Sequence, residues 1–501
     1  MSTFHAPPET PLRALYHPAN GPARNAAQSR ARRFQAANDG IGAAQQAFVQ
    51  TVQSQVTPVI ESELDGAFQM APYPAGFNYG IVYGSNGYFN AATLGDIDTL
   101  LQTSSSGNLE LGSSGSFSSF YAQLLPAVTF NFSQADEQTM NRQDTAAAGQ
   151  IASVITEFGN AGGQFTNPLP FGGKLQDIFN QLIKAYGSLA NLPSTLNALR
   201  NAITAYQQMA GQSYALHNKY NAATTRLAAI LANVTSPSAT NGGLQTGAAT
   251  YYVSYGGPGG EKLPTVNQLL GFLNSPNRNA TVEIDIASFD SSESHLSIAG
   301  STGLSIPVLD VFSVGIGGSS TYTLDRYATS SSSLHVTIEY TGLTVFSAEP
   351  TGISNDNSTG WYANDILVEV VANTGKDATG FALNGTEYNI ATTFGPGQTF
   401  SRLKTWVICN QPTVTMVFKS ANSQLIVSDF TEQSSASVSF LGLFDIGSVS
   451  ESYHVHNVTQ DSQAGTVTVT MAPPIASGTI PLNQQVAFVL GGVASYPPNN
   501  I

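Results

Sequence analysis

His454 and His456 stand two apart in a run that alternates as a strand does, so both imidazoles would project to one face and could share a metal ion. No third ligand accompanies them, because His295 and His335 lie far upstream. Asp285, Asp290 and Glu293 are closely spaced carboxylates, the groups that general acid–base work requires. Their Ser and Thr neighbours read as solvated strand faces and loops instead. The stretch Gly256-Gly257-Pro258-Gly259-Gly260-Glu261-Lys262 has the glycines of a phosphate cradle, but Leu263 stands where a hydroxyl should hold the metal, so it reads as a turn. Asp356-Asn357-Ser358-Thr359-Gly360 lacks the further acids and distal Glu of a calcium loop. The nucleophile elbow, the paired-His zinc motif and the dinucleotide fingerprint are all missing. The sequence therefore predicts no catalytic residue, no metal site and no cofactor, and leans away from an enzyme.

Two aromatic features remain. Trp361 and Tyr362 follow a polar turn and read as a surface aromatic contact for sugar or a membrane interface, whereas Trp406 lies inside a strand pattern and reads as core. Cys409, the single cysteine, excludes an intramolecular disulfide and reads as a small buried apolar residue.

The elements that would position these residues are organised around an internal repeat. Leu309-Asp310-Val311-Phe312-Ser313-Val314-Gly315 leads to the alternating run Leu334-His335-Val336-Thr337-Ile338-Glu339-Tyr340. Leu441-Gly442-Leu443-Phe444-Asp445-Ile446-Gly447 leads at matching spacing to Thr466-Val467-Thr468-Val469-Thr470-Met471. Period-two alternation marks half-buried strands, and the repeat predicts a duplicated β-hairpin over 309–340 and 441–471. Further strands are predicted at 251–255, 282–286, 366–371, 405–409, 414–418, 425–427 and 486–490, interrupted only by a short helix at 266–273. Upstream, Leu196, Leu199, Ile203, Tyr206, Ala210, Leu216, Tyr220, Ala223, Leu227 and Ile230 recur at threes and fours, which predicts one long amphipathic helix.

The expected fold is α+β: a helical N-terminal half with that long amphipathic helix, then an all-β C-terminal domain, sandwich or prism-like, containing the duplicated hairpin. The expected divisions are a basic flexible arm over 1–40, a mixed region over 41–135, a helical region over 136–233 and the all-β domain over 249–501.

Composition narrows the function classes. Of 501 residues only 10% are charged, against roughly 25% in an ordinary soluble domain. The net charge is −14, yet Arg13, Arg24, Arg30, Arg32 and Arg33 face only Glu9 in the first 33 residues. A longer arm with many more arginines would favour packaging nucleic acid; five do not decide it, and nucleic acid is not the expected partner. No apolar run reaches the roughly 18 residues of a membrane helix, and no signal peptide is recognisable. A secreted or released protein fits this balance.

The reading that best joins these features is a membrane-interacting, pore-forming protein that uses Ser/Thr-rich amphipathic hairpins. Its partners would be membrane lipid or a cell-surface receptor, and it could form a homo-oligomer. Candidate hairpin residues are Leu309, Val311, Phe312, Val336, Ile338, Tyr340, Leu441, Leu443, Phe444, Val467 and Val469. The alternative is a structural or adhesive assembly protein of a virion, appendage or cell surface.

Overall fold

The computed structural model describes residues 39–78, 91–103, 109–110, 115–170, 172–287, 295–298, 306–307, 312–316, 322–329, 331–432, 436–440, 444–446, 454–472 and 486–498. The basic arm lies outside them, apart from Asp39 and Gly40, which open the first helix. The chain divides into two compact units, Met1–Phe120 with Gly242–Thr351 and Gly395–Ile501, and Tyr121–Asn241 with Gly352–Phe394.

In chain order the principal helices are α1 (Asp39–Ile60), α2 (Ala91–Ile97), α3 (Phe117–Leu124), α4 (Gln134–Ala146), α5 (Ala148–Asn160), α6 (Gly173–Tyr186), α7 (Asn197–Ala210), α8 (Gln212–Thr235), α9 (Val266–Leu273), α10 (Asn364–Asn373) and α11 (Ser423–Glu432). The principal strands are β1 (Gln69–Asn78), β2 (Val128–Asn131), β3 (Ala280–Ile286), β4 (His295–Ile298), β5 (Phe312–Ile316), β6 (Ser333–Tyr340), β7 (Thr344–Ser347), β8 (Gly380–Leu383), β9 (Arg402–Cys409), β10 (Thr413–Lys419), β11 (Ala436–Phe440), β12 (Phe444–Ile446), β13 (His454–Asp461), β14 (Thr466–Ala472) and β15 (Val486–Ser495). The protein is thus mixed α+β, with helices concentrated in the first half and strands in the second.

The first unit holds an antiparallel sheet in which β4, β3, β6, β10, β14 and β13 are neighbours in that order, and a second sheet ordered β1, β15, β9, β7. Strict alternation builds the first: β3, β6, β10 and β14 each bury every second residue. Val282, Ile284, Val336, Ile338, Val414, Met416, Val467 and Val469 form a core that also takes in Met70, Val407, Cys409 and Leu490 from the other sheet and Val52 and Val56 from α1. Replacing Ile338, 1% exposed and opposite both Val282 and Val414, by Ala is expected to cost about 2–5 kcal/mol. Urea unfolding followed through Trp406 in a Trp361→Phe background measures it.

In the second unit α5, α6 and α7 share a core of Val154, Phe158, Ile178, Phe179, Ile203 and Tyr206. The Ser133 hydroxyl caps α4 by accepting from the Asp136 amide at 3.3 Å. β2 and β8 pair in this unit.

Four expectations need correction. The single long helix is two, α7 and α8, broken at Gly211 with φ 51° and ψ −111°, a backbone that glycine tolerates. Residues 366–371 form part of α10, not a strand, because Ile366, Leu367 and Val370 bury one helical face. Residues 425–427 lie in α11, where Asn422 Oδ1 accepts from the Leu425 amide at 3.2 Å and Ile426 and Phe430 bury one turn apart. The β-rich region therefore contains more than one helix. Finally, the two strands that define each repeat do not form a hairpin with one another. β5 does not pair with β6, nor β12 with β14; instead β5 and β12 flank β11, as β6 and β14 flank β10.

Candidate functional site

That last correction defines the most unusual geometry in the molecule. β3, β6, β10 and β14 are adjacent and antiparallel, so the ends of β3 and β10 lie at the same sheet edge as the starts of β6 and β14. Two excursions, residues 287–332 and 420–465, leave and return at that edge and are equal in length. Each gives one strand to the margin of the large sheet, β4 beside β3 and β13 beside β14. Each also contributes to a small sheet in which β5, β11 and β12 are neighbours.

The small sheet repeats the strand order of the large one, and it keeps the same register. Ser333 faces Lys419 across β6 and β10, and Ser313 faces Ser439 across β5 and β11. Ser313 precedes Ser333 by as many residues as Ser439 follows Lys419. The β5–β11 ladder is therefore the in-register continuation of the β6–β10 ladder, separated from it by the equal segments 317–332 and 420–435. Parity carries over as well. Phe312 pairs with Phe440 and Val314 with Val438, and Phe440 and Val438 pair in turn with Phe444 and Ile446, while Ser313 pairs with Ser439 and Ser439 with Asp445. The β11–β12 ladder continues β10–β14 with a slip of one residue.

The two excursions are fastened together near the large sheet. Asp429 on α11 accepts from the Tyr327 hydroxyl at 3.1 Å and pairs with Arg326 at 3.3 Å. The Tyr327 ring packs against Phe418 and Phe430 with centroids 5.8 and 6.3 Å away.

The residues singled out from sequence fall in three places. Val336, Ile338, Tyr340, Val467 and Val469 are buried in the large-sheet core, so they are not free hairpin residues in this fold. Phe312 and Phe444 lie on the small sheet. Leu309, Val311, Leu441, Leu443, Asp290 and Glu293 lie outside the described residues. Trp361 is 1% exposed and packs edge-on against Tyr121 at 6.0 Å, with only Tyr362 of the pair half-buried. The expected surface contact is thus an aromatic core, because the chain folds Trp361 inward after the Asp356 turn. In that turn, hydrogen bonds from Ser354 and Ser358 hold the Asp356 carboxyl down at about 2. The β13 register shifts between Val455 and Asn457, which interrupts the alternation expected of His454 and His456. Asp285 joins His335 instead of another acid, Oδ1 to Nδ1 at 2.6 Å, as an exposed cross-strand pair. Among the described residues no group of three His, Cys, Asp or Glu could hold a metal, and no helix is long and apolar enough to cross a membrane.

Sequence reasoning missed two buried clusters. Asp98 accepts from the Ser116, Ser118, Tyr252 and Tyr255 hydroxyls and from the Ser118 amide. Burial raises its carboxyl despite these bonds. It is closed to solvent, and its role is to join the end of α2 to the start of α3 and to the strands around Tyr252 and Tyr255.

The other cluster has triad residue types without triad order. Asp144 accepts from the Ser213 hydroxyl and lies 2.9 Å from His217 Nε2, so the carboxylate, not the imidazole, sits in the middle. The imidazole does not take up the serine hydroxyl, and the arrangement is a clamp between α4 and the first turns of α8. Burial pushes the Asp144 carboxyl up, but bonds from His217 and Ser213 and the His217 charge outweigh it, and the net shift is downward. A carboxyl lowered on folding stabilises above its unfolded value of about 3.9, and that contribution is lost as pH falls through the folded value. Melting temperatures of wild type and Asp144→Asn are expected to differ near neutrality and to converge as pH falls through the lowered folded value.

Comparison with known proteins finds no matching family model, no matching curated protein and no matching solved structure.

Proposed function

We propose that this protein acts on membranes by converting its two excursions into amphipathic β-hairpins that span a bilayer in an oligomer. The observation that carries this reading is the shared register. If residues 317–332 and 420–435 straighten, β5–β6 and β10–β11 form one unbroken ladder with no slip and no change of face. Each excursion is long enough for two strands of the roughly 9–11 residues that cross a bilayer. Along the paired strands of the small sheet the sequence alternates between apolar residues and Ser, Gly or Asp, the alternation of a barrel wall between lipid and lumen. Low charge supports it too: residues 287–332 hold Asp290, Glu293, Asp310, Asp325 and Arg326 as their charged residues.

The test is dye release from vesicles, followed by sizing of the lipid-bound protein. Release with a discrete oligomer is the expected result. Assembly in plain buffer without release would instead favour an assembly protein of a virion, appendage or cell surface.

A further inference from the structure

Exposed apolar side chains scattered singly are normal on a protein surface. Here they are concentrated. Of the seven large hydrophobic residues exposed among the described residues, Phe165, Leu169, Ile183, Tyr186 and Met209 belong to the α5–α7 module of the second unit. Phe165 and Leu169 lie in the loop before α6, where every residue from Gln164 to Leu169 is exposed. Ile183 and Tyr186 lie in the last turn of α6, where Ile183 to Gly187 are all exposed. The loop before α6 is fastened along that helix. Asp177 accepts from the Thr166 amide at 2.8 Å and its hydroxyl at 2.6 Å, and Gln181 donates to the Gln164 carbonyl at 2.8 Å.

Charge is concentrated in the same place, with a sign opposite to that of the chain. The protein carries a net −14, yet between Gly159 and Gly260 its sole acid is Asp177, which is buried and used in the loop. The same stretch holds Lys174, Lys184, Arg200, Lys219 and Arg226. Lys174 stands 5.1 Å over the Phe165 ring at one tip, and Lys184 is exposed at the other.

We infer that the ends of α6, with Phe165, Leu169 and Lys174 at one and Ile183, Lys184 and Tyr186 at the other, form a docking surface for a bilayer containing anionic lipid. Apolar and aromatic tips flanked by lysines, with no acid but the buried Asp177 between Gly159 and Gly260, complement a negatively charged interface with hydrocarbon below it. A nucleic acid would use the lysines and leave the Leu and Ile without purpose; a second copy meeting this surface two-fold symmetrically would set lysine against lysine. The inference rests on the membrane reading above and names where the protein first attaches, before any excursion moves.

The test floats full-length protein with vesicles of phosphatidylcholine alone and of phosphatidylcholine mixed with phosphatidylserine, scoring dye release in the same samples. Wild type is expected to float with the mixed vesicles far more than with the neutral ones. Each of the variants F165S/L169S and K174E/K184E is expected to lose roughly tenfold or more of its binding, since one lysine near such a surface is worth about fivefold. All four positions are exposed, so melting temperature should fall only slightly, the main loss being the contact of Phe165 with Phe158. Variants that float like wild type overturn the inference while leaving the pore reading intact if dye is still released. Flotation that depends on these residues without dye release upholds the docking surface and removes the pore. Failure to float with either composition, or attachment through these residues to a cell-surface protein alone, overturns it.

Discussion

A disulfide between positions 285 and 297 is expected to abolish dye release while leaving vesicle binding intact, and reduction is expected to restore release. Asp285 on β3 faces Ser297 on β4. Opposed residues in an antiparallel pair have Cα atoms roughly 4.5–5.5 Å apart, within the range a disulfide bridges. In the proposed hairpin, β4 must leave the margin of β3 so that the first excursion can extend past the sheet edge. A bond at this point keeps it there.

The companion variant S313C/S439C makes the opposite claim. Its disulfide joins β5 to β11, whose pairing is retained when the two ladders merge, so the oxidised protein should release dye as wild type does. Cys409 does not complicate either experiment, because it is fully buried and burial pushes its thiol up. Release unaffected by the 285–297 bond, or blocked by the 313–439 bond, would sink the proposed path. No single-site inactivation could fail in this patterned way by accident.

Asp98→Ala is expected to be the most damaging single substitution in the first unit, at about 3–5 kcal/mol, because it leaves four hydroxyls and an amide facing a buried gap. Asp98→Asn keeps the shape and one acceptor and should cost less, about 1–3 kcal/mol. The pH dependence runs opposite to that of Asp144. Burial raises the Asp98 carboxyl above its unfolded value, so the folded chain takes up the proton first. Its favourable contribution is complete below about pH 3.9 and is lost as pH rises through the raised folded value. Wild type should therefore gain on Asp98→Asn as pH falls through that window, measured as the difference in melting temperature. A difference that shrinks on acidification would show that the ionised carboxylate, not burial, dominates the site.

How much of this could be read from the chain differs by level. The alternation of Leu334 to Tyr340 and of Thr466 to Met471 predicted both strands and their buried faces, and the repeat identified positions that do correspond within one residue. It misled on pairing, because periodicity fixes which face a residue takes and says nothing about which strand lies beside it. Ile366–Val371 read as a strand because β-branched residues are common there, yet burial of one helical face decided the outcome. Asn422 was the visible helix signal before Leu425 and was overlooked. Asp98 was hidden for a different reason: its partners are ordinary serines and tyrosines, far away in sequence, and only folding gives them a common acceptor.

The second sheet of the first unit has a consequence for the birth of the molecule. Among the described residues its first strand, β1, pairs only with β15, the last in order, and β9 lies on the other side of β15. Loop closure across nearly the whole chain must precede those contacts, and such distant pairings form slowly. During synthesis β1 and β9 have each an edge that stays open until β15 emerges, which exposes the nascent chain to mispairing with its neighbours. Folding of this sheet is therefore expected to wait for β15, and a chain shortened before residue 486 should accumulate as aggregate instead of a smaller native unit.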